Sequence, residues 1–276
     1  MTLAEALSEA QKMSSDSGIA LHDFLYLLQD VSGFSIPEIR LQKDRLLSPA
    51  ESVLWNTYSS RRLRGEPSQY ITGKAYFYGR EFHVSTGCLI PRPETEGLVD
   101  LALQHLNSVK PGSSVLDIGT GSGVIAITLK LELLDCIVHA TDISEDALQI
   151  ATTNALAHKA VISFRKADLW LMDNSKYDLI ISNPPYIAEN EYAFLDANVR
   201  DHEPKLALVA SDRGLEFYKR IIPQLSSKLN EGGCAIFEFG EEQAAEIQKI
   251  ASENGIINPE VLQDLAGRDR YFKISI

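Results

Sequence analysis

Asn183-Pro184-Pro185-Tyr186 sets a carboxamide, two rigid residues and an aromatic ring side by side. Proline at 184 holds Asn183 in an extended backbone, and proline at 185 does the same to 184, so the segment cannot curl into a helix and its carbonyls face outward. Such a corner suits one kind of reaction. A planar NH2, on a carboxamide or an aromatic ring, is a weak nucleophile because its lone pair is delocalised into the neighbouring π-system. Two acceptors, the Asn183 side-chain oxygen and the Pro184 carbonyl, would each take one N–H, hold the nitrogen in line with an electrophile and stabilise the positive charge developing on it. Tyr186 would pack on the planar group. No general base is needed at the outset, since the proton becomes acidic only after alkylation. Hydride transfer has no use for this arrangement; methyl transfer from a sulfonium does.

The electrophile needs a cradle. Asp117-Ile118-Gly119-Thr120-Gly121-Ser122-Gly123 ends a predicted strand with glycines at alternate positions, which lets backbone pass close beneath a ligand and open into a helix N-terminus. Something nucleotide-like fits there, but the loop does not choose the cofactor, because Gly121, Gly123 and Ala126 also match the dinucleotide fingerprint in a shifted register. Asp142 ends the second strand and could accept both ribose hydroxyl protons of NAD or of S-adenosylmethionine alike. Asp168, after the third, could take a hydrogen bond from an adenine amino group while Leu169 covers the ring. Plainer readings exist for each: a tight turn, a helix-start acid beside Ser144, a loop carboxylate in water. Found in order along one chain with Asn183 to Tyr186, they point to one site.

Strand–helix alternation from Ser113 onward positions these residues. Val115 to Ile118, Ile137 to Ala140, Val161 to Phe164, Leu179 to Ile181, Ala235 to Phe239, Glu260 to Gln263 and Tyr271 to Ile276 read as strands, and a helix is expected through Ile125 to Leu134. This pattern predicts an α/β fold: a mainly parallel sheet covered by helices on both faces, with ligands bound beyond the carboxyl ends of the strands. Residues 1–69 read as a helical bundle, with Leu21, Phe24, Leu25 and Leu28 as one apolar stripe and Ser48-Pro49-Ala50-Glu51 as a capping box ahead of a helix stopped by Gly65. Residues 70–90, with Tyr70, Tyr76, Phe77, Tyr78 and Phe82 around Gly73 and Gly79, read as a hairpin linking that bundle to the domain at 91–276.

Bulk properties narrow the function. The 276 residues carry 38 acidic and 26 basic side chains, a net charge of −12 that disfavours a phosphate backbone as partner. The cluster Arg61, Arg62, Arg64 sits at a helix end, where cations suit the dipole, and reads as a solvated face or a protein contact. Cys88, Cys136 and Cys234 offer neither a Cys-x-x-Cys pair nor a disulfide framework, and six scattered histidines give no metal-ligand spacing, so reduced core thiols and no metal are expected. With no apolar run approaching about 18 residues and no signal-like start, a cytoplasmic protein without membrane attachment is expected.

Taken together, Gly65-Glu66-Pro67, Tyr70-Ile71-Thr72-Gly73, Leu89-Ile90-Pro91-Arg92-Pro93-Glu94-Thr95-Glu96, the glycine loop and Asn183-Pro184-Pro185-Tyr186-Ile187 make a set that resembles the peptide chain release factor glutamine methyltransferases. The Asn-Pro-Pro-Tyr element alone is shared with adenine and guanine amino-methyltransferases; the blocks at 65–73 and 91–96 single out the former. The resemblance implies a helical N-domain that helps bind a release factor, a seven-stranded Rossmann-like methyltransferase domain, and methylation of the amide nitrogen of the glutamine in the Gly-Gly-Gln loop of class I release factors, leaving S-adenosylhomocysteine. Carried across, Gly119, Thr120, Gly121, Ser122 and Gly123 would hold the methionine part of S-adenosylmethionine, Asp142 its ribose, and Asp168 with Leu169 its adenine, with Asp117 also in the cofactor site. Asn183, Pro184, Pro185 and Tyr186 would receive the glutamine, with Asn183 also near the cofactor, and Asn183, Pro184 and Tyr186 would be catalytic. Arg92 and Glu94 would line the approach, although Pro93 and two glutamates also make a good helix start. A monomer is expected. The family usually has paired glycines where this chain has Val209-Ala210-Ser211-Asp212-Arg213-Gly214-Leu215, which leaves that loop's conformation open. The other readings are a nucleic-acid amino-methyltransferase acting on adenine N6 or guanine N2, a nucleotide-binding module without activity, and an NAD-dependent dehydrogenase, which would leave Asn183 to Tyr186 without a role.

Overall fold

The computed structural model describes residues 1–107 and 112–276. The chain forms two units, Met1–Lys74 with Asp196–His202, and Ala75–Leu195 with Glu203–Ile276.

In the smaller unit, α1 (Leu3–Ser17), α2 (Leu21–Ser32), α3 (Ile36–Leu41), α4 (Pro49–Leu63) and α5 (Ser68–Thr72) surround a core of Leu3, Phe24, Leu27, Leu28, Ile39 and Trp55. Capping boxes start α1 and α4: the Thr2 hydroxyl accepts the Glu5 N–H at 3.2 Å and the Ser48 hydroxyl that of Glu51 at 3.2 Å, while each glutamate takes the cap residue's own N–H at 2.7 Å. The buried stripe of α2 is Phe24, Leu27, Leu28 and Val31; Leu25, expected on it, is half-buried. Tyr70 and Ile71, read as the start of a hairpin, instead belong to α5, which Pro67 opens and Gly73 closes. Nor is the arginine cluster a solvated face throughout. Arg62 is buried against Asp23 at 3.0 Å, and Arg61 grips Glu66.

In the larger unit, β1 (Lys74–Phe77, its first residue in the other unit) and β2 (Arg80–His83) form a hairpin whose Phe77 and Phe82 pack with Leu98 and Val99 of α6 (Glu94–Leu106). The remaining strands are β3 (Ser114–Ile118), β4 (Ile137–Asp142), β5 (Ser163–Lys166), β6 (Tyr177–Ser182), β7 (Ile187–Ala188), β8 (Val209–Ala210), β9 (Leu229–Glu238), β10 (Glu260–Gln263) and β11 (Asp269–Ser275). Among the described residues, seven of these make one sheet in the order β10-β11-β9-β6-β3-β4-β5. β11 runs antiparallel to both neighbours and the other pairings are parallel. Burial on both faces explains why β6 is buried at every residue and why β3 is apolar apart from Ser114 and Asp117. One face packs α6 and α7 (Val124–Glu132), the other Tyr218, Ile221 and Ile247. β5 begins two residues later than expected, because pairing with β4 starts at Ser163 and leaves Val161 exposed. α7 likewise stops at Glu132, short of the expected Leu134. All three cysteines are buried and form no disulfide.

Candidate active site

Parallel pairing of β3 with β4 and β6 brings the ends of those strands, and hence the loops after them, to one edge of the sheet. There lies an open cleft of about 270 Å³, lined by the glycine loop from Ile118 to Ser122, Val124, Ile125, Asp142, Ile143, Asp168, Leu169, Asn183 and Pro185. Gly87 to Leu89, Pro91, Arg92, Thr95, Pro204, Leu206, Phe217 and Arg220 contribute further wall.

The glycine loop is held from below. Thr141 of β4 offers its carbonyl to the N–H groups of Gly119 at 2.9 Å and Thr120 at 3.0 Å. Gly119, Gly121 and Gly123 all have positive φ, of 72°, 55° and 83°. A Cβ at Gly119 or Gly121 would meet no atom within 4 Å, so their bare side is open space for a ligand, whereas one at Gly123 would press on Ala151 and Ile127 at 3.0 Å. Gly123 therefore serves the packing of α7 on α8 (Glu145–His158) and does not line the cleft. Asp117, expected to touch the cofactor, is also off the wall. It is fully buried beneath the loop, where it accepts the Thr120 hydroxyl proton at 2.6 Å, and burial pushes its carboxyl up to about 7.

Asp142 lies in the wall. One of its oxygens accepts the Gly121 N–H at 2.9 Å and the other the Ser144 N–H at 2.9 Å, so the carboxylate is fixed with lone pairs to spare. Its desolvation outweighs those hydrogen bonds and raises its pKa. Asp168, also in the wall, is paired through one oxygen with Arg220 at 2.6 Å. Leu169 is buried in the wall with φ 73°. With Ile143 and Phe217 it gives an apolar surface of the kind a purine ring needs. The open glycine edge, the fixed carboxylate and this apolar surface fit S-adenosylmethionine.

Beside them Asn183 to Tyr186 continue from β6 in non-helical backbone, as the two prolines require. Asn183 and Pro185 reach the cleft; Pro184 is buried and, with Tyr186, lies outside the lining. The Asn183 Nδ2 donates to Thr95 Oγ1 at 3.0 Å, and Thr95 donates to the buried Glu238 at 2.8 Å. Tyr186 turns its hydroxyl towards Glu238 at 3.5 Å, and burial together with that carboxylate raises it to about 12. Arg92 is in the wall, held by the buried Glu203 at 2.6 Å, which also receives the Ile90 N–H at 3.2 Å. Glu94 is not: it opens α6 exposed to solvent, as the helix-start reading requires. Thr95, Phe217 and Glu238 escaped the sequence reading. Thr95 lay within a quoted motif, but nothing local marks a threonine in a helix's first turn as facing a cleft.

The same architecture recurs elsewhere. Residues 98–204 match the family model of the methyltransferase small domain, and residues 5–73 that of the PrmC N-terminal domain. The chain is 37% identical to the release factor glutamine methyltransferase of Bacillus subtilis over 98% of its own length and 96% of the relative's. It belongs to the release factor glutamine methyltransferase family. The member from Bacteroides thetaiotaomicron is 40% identical over 87% of each chain. Among solved structures, the hMettl16 catalytic domain in complex with MAT2A 3'UTR hairpin 1 superposes with a TM-score of 0.59 at 19% identity, covering 92% of this chain and 91% of that one, which is a likeness of fold.

The loop in which this member of the release factor glutamine methyltransferases departs from the usual paired glycines is well ordered by other means. Ala210 is extended, at φ −126°, and pairs through β8 with β7, while Ser211 gives both its N–H and its hydroxyl proton to Glu216. The left-handed positions are Asp212, Arg213 and Gly214. Gly214 packs so closely that a Cβ there would collide with the Tyr186 carbonyl and the Gln243 amide, which themselves hydrogen-bond at 2.9 Å.

Proposed function

We propose that this protein transfers the methyl group of S-adenosylmethionine to the side-chain amide nitrogen of the glutamine in the Gly-Gly-Gln loop of class I peptide chain release factors. The observation that carries this reading is Asn183: a carboxamide on the cleft wall next to the glycine loop, with its NH2 committed to Thr95 and its oxygen left as an acceptor. S-adenosylmethionine, when bound, supplies an electrophilic methyl carbon on a sulfonium. The chain does the rest. Asp142 takes the ribose hydroxyls, the open edge of Gly119 and Gly121 lets the methionine part approach the backbone, and Leu169 covers the adenine. Asn183 Oδ1, on the cleft wall, accepts one N–H of the glutamine amide, and the carbonyl of Pro184, whose residue is buried just behind the lining between Asn183 and Pro185, is assigned the other, which fixes the nitrogen and favours the charge that grows there. Pro185 shapes the corner, Tyr186 braces it from behind, and Arg92 lies on the route in. The helical unit contributes to gripping the release factor. A translation factor as substrate supports a cytoplasmic location, and the protein is taken to act as a monomer.

The test is mass spectrometry of a class I release factor after incubation with the protein and S-adenosylmethionine. One added methyl on the loop glutamine is expected. Asn183→Ala should lower kcat by about 100-fold or more while cofactor affinity stays within about threefold, because the lost contact acts on the acceptor in the transition state. An unmodified glutamine, or full activity in the variant, overturns the reading.

A further inference from the structure

Glu238 ends β9 at 1% exposure, and Thr95, in the first turn of α6, is 3% exposed. The pair stands behind Asn183 in a chain of hydrogen bonds whose direction is fixed by chemistry. An ionised carboxylate only accepts. Thr95 has one hydroxyl proton, and giving it to Glu238 leaves only lone pairs facing Asn183. Asn183 must then turn its NH2 to Thr95, and its oxygen is the end that remains for a ligand. We propose that Glu238, acting through Thr95, is the positioning residue that sets which end of the Asn183 carboxamide faces the acceptor, an inference that rests on the role given to Asn183 above.

The polarity reverses if Glu238 is neutral. A protonated acid, or an amide in its place, can donate to Thr95, which frees the threonine proton to turn towards Asn183 and favours the flipped carboxamide. NH2 would then face NH2 in the cleft, donor against donor, and the glutamine nitrogen would lose one of its two acceptors. Burial pushes the Glu238 carboxyl up to about 7, so the switch falls within an assayable range. The groups around it are Thr95 and Glu94 on α6, Tyr186 beyond β6, Tyr218 on the helix Glu216–Ile221, and Arg270 with Tyr271 on β11. Arg270 and the Thr95 hydrogen bond favour the charged form, and Glu94 opposes it. The three tyrosines stay neutral across this range, being raised above 10.

The experiment compares the parent with Thr95→Val, Thr95→Ser and Glu238→Gln, using a class I release factor as methyl acceptor. Thr95→Val and Glu238→Gln should lower kcat by about tenfold or more, with KM and cofactor affinity within about threefold, and Thr95→Ser should recover most of the loss. The parent's kcat should rise with pH through about 7, and this rise should vanish in Glu238→Gln. In parallel, the Asn183 side-chain amide resonances should titrate near the same pH in the parent and not in Glu238→Gln, a readout that needs no substrate. A parent that methylates no release factor but shows this titration refutes the proposed function and keeps the relay. Flat amide resonances in the parent, a serine variant no better than the valine one, or an unchanged pH profile in Glu238→Gln overturns the relay.

Discussion

Burial raises the carboxyl groups of Asp117 and Glu238 to about 7, well above the ordinary carboxylate range, although each accepts a hydroxyl proton. In the unfolded chain both acids lose their protons near the usual value of about 4. Between that value and about 7 the folded form binds more protons than the unfolded one, so these two groups make stability fall as pH rises. Asp117→Asn, with no charge to bury, should gain thermal stability relative to the parent as pH goes from 5 to 8; melting curves at the two values check this, and a constant gap counts against it. Glu238 carries the same cost but uses its charge to orient Asn183, so a variant there trades activity for stability. Asp142 is a third case, raised by burial yet pinned by two backbone N–H groups and still open to the cleft.

Elements position these residues through contacts that only the folded chain makes. The turn Asp212–Gly214 locks the corner after β6 from outside: Gln243, just ahead of the helix Ala244–Glu253, bonds the Tyr186 carbonyl, and Gly214 lies against both. Gly214→Ala, strained at φ 82° and sterically blocked, should destabilise the protein by about 1–3 kcal/mol and lower kcat more than cofactor affinity, as denaturation and calorimetry would show. Much of this architecture was legible in the sequence. Fully buried strands give apolar runs, a capping box marks the start of α4, and the strand-end motifs name the glycine-loop, Asp142, Asp168, Leu169, Asn183 and Pro185 parts of the cleft wall. What stayed hidden depends on distant partners. Arg220 claims Asp168 from 52 residues away, and Glu238 reaches Thr95 from 143. No periodicity records such pairings. α5 was missed because five residues are too few for a helical period to rise above a cluster of aromatic residues.

At the scale of the whole molecule, the two units have separate cores, the smaller built around Trp55, which is fully buried and donates to Glu9 at 2.8 Å. Trp55→Ala should cost that unit about 3–5 kcal/mol. If the helices grip the release factor, KM for it rises steeply while calorimetric affinity for S-adenosylmethionine holds; equal loss of both would count against that division of labour. The larger unit has its own constraint of assembly. β11 is the last of its seven sheet strands in the chain, yet it lies between β9 and β10. While the polypeptide is still being synthesised, β9 therefore waits with a bare edge and β10 has no neighbour to pair with, until residues 269–275 emerge. A premature stop codon ahead of Asp269 would leave that edge unsheathed, its N–H and C=O groups free to recruit another nascent copy. Shortened products of this gene are thus expected among aggregates and proteolytic fragments rather than as a pool of feeble enzyme, which fractionating cells that express a chain ended before Asp269 would check.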